Sequence, residues 1–202
     1  MKLYFAPGAC SLSPHIALLE SGQAFELEQV DLRQKTMKDG SDYRAINPRG
    51  QVPALKLDDG QIMTEGAAIV QYLADRKPDT KLAPPCGTME RYRLQEWLNF
   101  VATEIHKGLG ALFNPKASDE WKAQHKEGLA PKFDFLNKAL DGKTYLMGSQ
   151  FTVADAYLFT VLRWTKIHKI DLARWPAVAA YFERIGARPA VRNALQAEGL
   201  LN

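Results

Sequence analysis

Cys10 is the residue in this chain best placed for nucleophilic chemistry. It stands in Pro7-Gly8-Ala9-Cys10-Ser11-Leu12-Ser13, at the point where a loop turns into a helical pattern. A thiol there meets the positive end of the helix dipole, which favours thiolate and so nucleophilicity. Ser13 occupies the place of a second cysteine, so a mixed disulfide with an outside thiol is favoured over an internal one. The plainer reading is a small residue in a turn. Tyr4 and Ser11 lie close by as rival hydroxyl donors.

A second group runs from Asn47 to Gly66. Val52-Pro53 precedes a short alternating run, Ala54, Leu55 and Leu57, and proline leaves backbone groups at a strand entry free to pair with something else. Proline also permits a cis bond, which turns the backbone at Val52 outward. Asp58-Asp59-Gly60 reads as a hairpin turn, and Thr64-Glu65-Gly66 opens a helix whose first N–H groups make an anion site. An open backbone edge beside such a site is suited to a small peptide ligand. Each device alone is ordinary punctuation; the combination in this order is less common.

A third group lies on a long amphipathic pattern over residues 88–112. At about 100° per residue, Leu94, Trp97, Leu98, Val101, Ile105, Leu109 and Leu112 fill one arc. Asn99, Thr103, His106 and Lys107 fall opposite. A solvated face is the usual explanation of such an arc. Three mediocre helix formers on one stripe also fit a lined cleft, and a histidine near a thiol can hold the sulfur ionised.

The elements that must position these groups read as β-α-β-(α)-β-β-α. Residues 2–5 form a strand. A helix follows with Leu12, Ile16 and Leu19 on one face and Pro14 in its first turn. Residues 25–32 form a second strand, residues 34–44 a polar loop with a short helix, and then come the hairpin and a helix over 65–75. Pro78, Pro84, Pro85 and Gly87 mark a linker. Beyond it every pattern is helical. Thr152 and Asp155 have capping-box spacing with Phe151 at the staple position, ahead of an apolar run over 156–164. The expected division is an α/β domain over 1–78, a linker over 79–87 and an all-helical domain over 88–202.

Composition bounds the function classes. The chain has 202 residues, 46% hydrophobic and 24% charged, with a net charge of +3. These are values of a globular protein, and the interspersed charge gives no nucleic-acid footprint. No stretch approaches the ~18 apolar residues of a membrane span, and the start is too short an apolar run for a signal peptide. Cys10 and Cys86 form neither a disulfide nor a metal pattern, and His15, His125 and His168 show no ligand spacing. Cys86 reads as an incidental linker thiol. A reduced, cytoplasmic setting without a metal is expected.

Val52-Pro53, the hairpin, Glu65-Gly66 and Pro7-Gly8-Ala9-Cys10-Ser11 resemble the glutathione-binding half of glutathione S-transferases, and most of the chain resembles their bacterial beta class. The resemblance implies a thioredoxin-like N-terminal domain followed by an all-α helical bundle whose buried, capped helix begins at Thr152. It implies glutathione as co-substrate, a homodimer, and a hydrophobic electrophile held between the domains. Cys10, Ser11 and His106 are the implied catalytic set. Cys10, Lys35, Val52, Pro53, Glu65, Gly66, Asn99, Thr103, Glu104, Ile105, His106 and Lys107 are the implied glutathione contacts, some of them from the partner subunit. Phe113 and Trp164 are candidates for the electrophile pocket. Gly66 departs from the serine that many members carry there, which removes a hydroxyl contact and keeps the backbone N–H. Glutathione-dependent thiol–disulfide exchange, reductive dehalogenation and a non-catalytic binding role are the alternatives.

Overall fold

The computed structural model describes residues 1–201, which form two compact units. The first contains Met1–Ala83 and the segment from Arg188 onward; the second is Pro84–Ala187.

In the first unit a five-stranded sheet has the order β3-β2-β1-β4-β5. β1 (Lys2–Phe5) is central, parallel to β2 (Glu26–Asp31) and antiparallel to β4 (Ala54–Lys56). Alternation along β1 sends Leu3 and Phe5 to one face and Tyr4 to the other. Tyr4 there joins Val30, Tyr43, Val52 and Ala54 in a buried cluster. Between β1 and β2 runs α1 (Leu12–Ser21), closed by Gly22 in the left-handed region at φ 63°. β5 (Ile62–Thr64) completes the hairpin, its turn fastened by Leu57 N–H to the Gln61 carbonyl at 2.9 Å. α2 (Gly66–Asp75) follows and packs against α1.

Two local expectations are revised. The polar stretch after β2 contains a short strand, β3 (Thr36–Met37), which folds back on Val30–Asp31, and then one 3₁₀ turn at Tyr43–Ala45. The chain's last helix also belongs elsewhere than its position in sequence suggests. α9, named below, packs on α1, and Arg188 grips Glu20 with two hydrogen bonds of 2.7 and 2.9 Å.

The second unit is helical. α3 (Met89–Phe100), a π-helical segment (Val101–His106) and α4 (Lys107–Ala111) run on from one another, in the place where one uniform helix is expected. α5 (Asp119–Leu140) is started by Ser118, whose hydroxyl accepts from the Trp121 N–H. α6 (Val153–Leu162) is buried along its whole length. The Asp155 carboxylate accepts from the Leu146 and Thr152 N–H groups, each at 2.8 Å, and from the Tyr181 hydroxyl at 3.0 Å. By accepting from the N-cap Thr152 N–H, this carboxylate makes the capping-box contact that the Thr152/Asp155 spacing predicts. α7 (Trp164–Ile167) and α8 (Pro176–Gly186) end the unit, and α9 (Pro189–Ala197) returns to the first. No helix among the described residues is long and apolar enough to cross a membrane.

Candidate active site

Cys10 sits half-buried immediately before α1, where the loop is knitted by Ala9 N–H to the Ala6 carbonyl and Leu12 N–H to the Ala9 carbonyl, both 3.0 Å. Its Sγ lies 3.3 Å from the Val52 carbonyl oxygen and donates to it. Ser11 has a different task from the one expected. Its hydroxyl is fully buried and spans the Ala6 peptide groups, accepting from the N–H at 3.2 Å and donating to the carbonyl at 3.3 Å. It braces the loop from beneath.

The Val52–Pro53 bond is cis. The loop leading to it is held by three side chains that grip its carbonyls: Lys35 Nζ to Gly50 at 2.8 Å, Tyr43 hydroxyl to Gln51 at 2.9 Å, and Asn47 Nδ2 to Gln51 at 2.7 Å. Burial pushes the Tyr43 phenol up to about 12, which keeps it a neutral donor. Gly50 adopts φ 60°, and an added Cβ would meet the Lys35 stem at 3.0 Å. The lysine thus lies along the loop with one of its three ammonium donors engaged there.

Glu65 adopts φ 68°, rare for a residue with a side chain. Its carbonyl accepts from the Ala68 and Ile69 N–H groups, which starts α2. Its carboxylate meets Arg49 Nη1 at 2.7 Å, and Arg49 Nη2 reaches the Thr64 hydroxyl at 3.1 Å. Cys10, Lys35, Val52, Pro53, Glu65 and Gly66 therefore all belong to the first unit, on the loops between β1 and α1, after β2, before β4 and before α2.

In the second unit the π segment redistributes the expected polar stripe. Asn99, Thr103 and Lys107 are exposed, and the Thr103 hydroxyl donates to the Asn99 carbonyl at 3.0 Å. Glu104 is paired with Lys132 at 2.8 Å, and that ammonium holds its carboxyl below the usual range. Ile105 is fully buried, so its side chain serves the core. His106 parts from the stripe: Nδ1 lies 2.6 Å from the Tyr157 hydroxyl, and its ring meets Trp164 edge-on at 5.0 Å. Trp164 in turn packs edge-on to Phe113 at 5.4 Å, and Phe113 against His168 at 4.4 Å. Phe113 and Trp164 thus share one aromatic wall with His106. A separate cavity of about 300 Å³ is lined by Trp121, Gln124, His125, Leu129 and Lys132.

His168, expected to be structural, closes this wall. Burial and the nearby charges of Lys126 and Lys122 push its imidazole below the ordinary histidine value. Cys86 is exposed, with Arg91 Nη2 at 3.3 Å from its sulfur. No group of three His, Cys, Asp or Glu residues placed to hold a metal ion occurs among the described residues.

Tyr157, Arg49, Tyr43 and Asn47 are neighbours of these groups that sequence reasoning does not single out as site residues. Tyr157 carried a weak signal, as a hydroxyl inside the apolar run of α6.

The family model described as "Glutathione S-transferase, N-terminal domain" matches residues 8–76, and the one described as "Glutathione S-transferase, C-terminal domain" matches residues 100–189. The chain belongs to the glutathione S-transferase family. It is 50% identical to glutathione S-transferase GstA of Escherichia coli O157:H7, over 99% of this chain and all of that protein. The solved beta-class glutathione S-transferase of Sphingomonas chungbukensis superposes with a TM-score of 0.95 at 48% identity, covering all of both chains. A sphingomonad glutathione S-transferase complexed with glutathione gives 0.95 at 47% identity, again over all of both. The resemblance to the bacterial beta class read from the Cys10 and Val52–Gly66 motifs is borne out.

Proposed function

We propose that this chain binds glutathione on its first unit and transfers the thiol to small hydrophobic electrophiles. The observation that carries this reading is the set of receptors on that unit. An ordered backbone corner at Val52–Pro53, the Lys35 cation and a helix start with its own carboxylate at Glu65 match a tripeptide with two carboxylates and an ammonium. A relative of 47% identity was solved with glutathione.

In this reading the Glu65 carboxylate takes the γ-glutamyl ammonium, and the N–H groups of the α2 start take its carboxylate. Lys35 faces the glycine carboxylate, and Val52 pairs with the cysteinyl backbone. A Cys10 thiol that donates to the Val52 carbonyl can equally donate to a bound thiolate. The Tyr157 hydroxyl donating to His106 Nδ1 would leave the imidazole proton on Nε2. The glutathione thiolate attacks the electrophilic carbon of an aryl halide, a carbon–sulfur bond forms, and halide leaves. Bound geometry replaces a bimolecular encounter. The wall of Phe113 and Trp164 suits a planar apolar partner.

The same reading includes a cytoplasmic homodimer. Trp97, Phe100 and Phe135 pack against one another with centroids 5.1–5.9 Å apart, and Phe135 is half exposed. An exposed aromatic cluster of this kind suits coverage by a second copy. Asn99, Thr103, Glu104 and Lys107, at the same helix surface, are proposed as polar contacts to glutathione in the dimer.

A second reading rests on Cys10 alone: its thiolate exchanges with oxidised glutathione, forming a mixed disulfide and releasing one glutathione thiolate. Calorimetry with glutathione, with conjugation of 1-chloro-2,4-dinitrobenzene and disulfide exchange measured on Cys10→Ala, separates the two. Saturable glutathione binding, conjugation partly retained and exchange lost support the transferase with a redox-active Cys10. Absence of glutathione binding would overturn both.

A further inference from the structure

We propose that Glu198 is a positioning residue for the Cys10 thiol, acting from the end of the chain through the loop that carries it. The proposal takes Cys10 as the reactive thiol of the function argued above. The Glu198 side chain is completely buried. Its Oε1 lies 2.9 Å from His15 Nδ1, itself 1% exposed, and its Oε2 accepts from the Gly8 N–H at 2.9 Å. His15 is packed between the rings of Phe5 and Phe25, so the pair cannot swing aside.

Burying a carboxylate is costly unless it is well partnered. Anchoring the tail does not require that cost. Arg188 already clamps Glu20 on α1, and Val191, Ala194 and Leu195 are buried on α9. The geometry points instead to what Glu198 touches. Gly8 adopts φ 71° two residues before Cys10, and the Leu200 side chain lies 3.5 Å from where a Cβ on Gly8 would stand. A glycine in the left-handed region is where a loop bends most readily. Glu198 fixes that bend from one side and Leu200 covers it from the other. Ser11 braces the next peptide back, at Ala6, but it belongs to the same loop and moves with it. Glu198 ties the loop to α1 and to the chain's end together. The placement of Cys10 at the start of α1, 3.3 Å from the Val52 carbonyl, depends on the loop keeping this bend.

The test uses the full-length chain carrying Cys86→Ser, so that Cys10 is the thiol read, and follows the rate of iodoacetamide alkylation against pH. This readout needs no glutathione, so its failure is distinguishable from failure of the transferase reading. Glu198→Ala is expected to slow alkylation at pH 7 about two- to fivefold, the scale of a helix-end contribution, and to move the profile to higher pH. Glu198→Gln keeps the volume and one acceptor, guards against a variant that does not fold, and should fall between. Arg188→Ala, which loosens α9 without touching Gly8, should lower Tm and leave the profile in place. An unchanged profile in folded Glu198→Gln and Glu198→Ala, or an equal shift in Arg188→Ala, would reduce Glu198 to a tail anchor and overturn the proposal.

Discussion

Arg49 and Glu65 are joined across the loop and helix start that flank the β4–β5 hairpin, with Arg49 Nη1 2.7 Å from Glu65 Oε1. Glu65 holds φ 68° and ψ 110°, a region that costs a residue with a side chain about 1–3 kcal/mol. The two side chains are 54% and 68% exposed, so their pairing contributes little to folding. Its effect is on the aim of the carboxylate.

Arg49→Gln should therefore raise the glutathione KM about two- to fivefold, the scale of an exposed ion pair, with kcat nearly unchanged. Glu65→Ala should raise it further, and the double variant should resemble Glu65→Ala alone. Steady-state kinetics on the four proteins gives the coupling. Additive effects would mean that Arg49 does not act through Glu65.

Gly66→Ser is expected to be accommodated. An added Cβ meets only Pro53 Cγ at 3.8 Å, ordinary contact, and Gly66 is not in the left-handed region. Replacing glycine in a helix gains up to about 0.5 kcal/mol, so Tm should rise slightly. The restored hydroxyl should also lower the glutathione Kd by calorimetry. A fall in Tm would show that the helix start needs glycine.

Tyr157→Phe removes the hydroxyl 2.6 Å from His106 Nδ1 and leaves the aromatic packing in place. A fall in kcat of about three- to tenfold is expected, the worth of one hydrogen bond of ~1 kcal/mol, with a smaller change in glutathione KM. His106→Phe should abolish the difference between Tyr and Phe at 157. Equal kcat in Tyr157→Phe would show that the Tyr157–His106 hydrogen bond has no part in turnover.

His168 makes stability depend on pH. Its folded pKa lies below the unfolded 6.5, because burial and then Lys126 and Lys122 oppose the imidazolium. The unfolded chain therefore binds this proton more readily, and the contribution to stability present above pH 6.5 is lost as pH falls through the folded value. Tm should decline from pH 7.5 towards 5.5 more steeply in the native chain than in His168→Phe. Parallel curves for the two would assign the slope to other groups.

The hairpin, the cis-competent Val52–Pro53 step and the Thr152–Asp155 cap were legible because each is a local device whose residues are adjacent and whose geometry follows from backbone chemistry. The site's helical half was less so. Reading residues 88–112 at a constant angle per residue groups His106 with Asn99 and Thr103. The π segment at Val101–His106 breaks that constancy, sending His106 to Tyr157 and Trp164 while Trp97 joins Phe100 and Phe135. Ser11 looks like a spare hydroxyl until the Ala6 peptides are seen to use it. Glu198 carried no signal, since nothing in a sequence pairs it with a histidine 183 residues earlier.

The return of α9 to α1 sets an order on synthesis. The sheet and α1 leave the ribosome first, and Glu198, which fastens the Cys10 loop at Gly8, follows 190 residues after that glycine. At about 5–20 residues per second, roughly 10–40 s separate the two, and through that interval the nascent sheet carries its thiol on a loop without its clasp. A nascent chain cut short before Arg188 would display Cys10 on a loop that lacks the Gly8–Glu198 hydrogen bond.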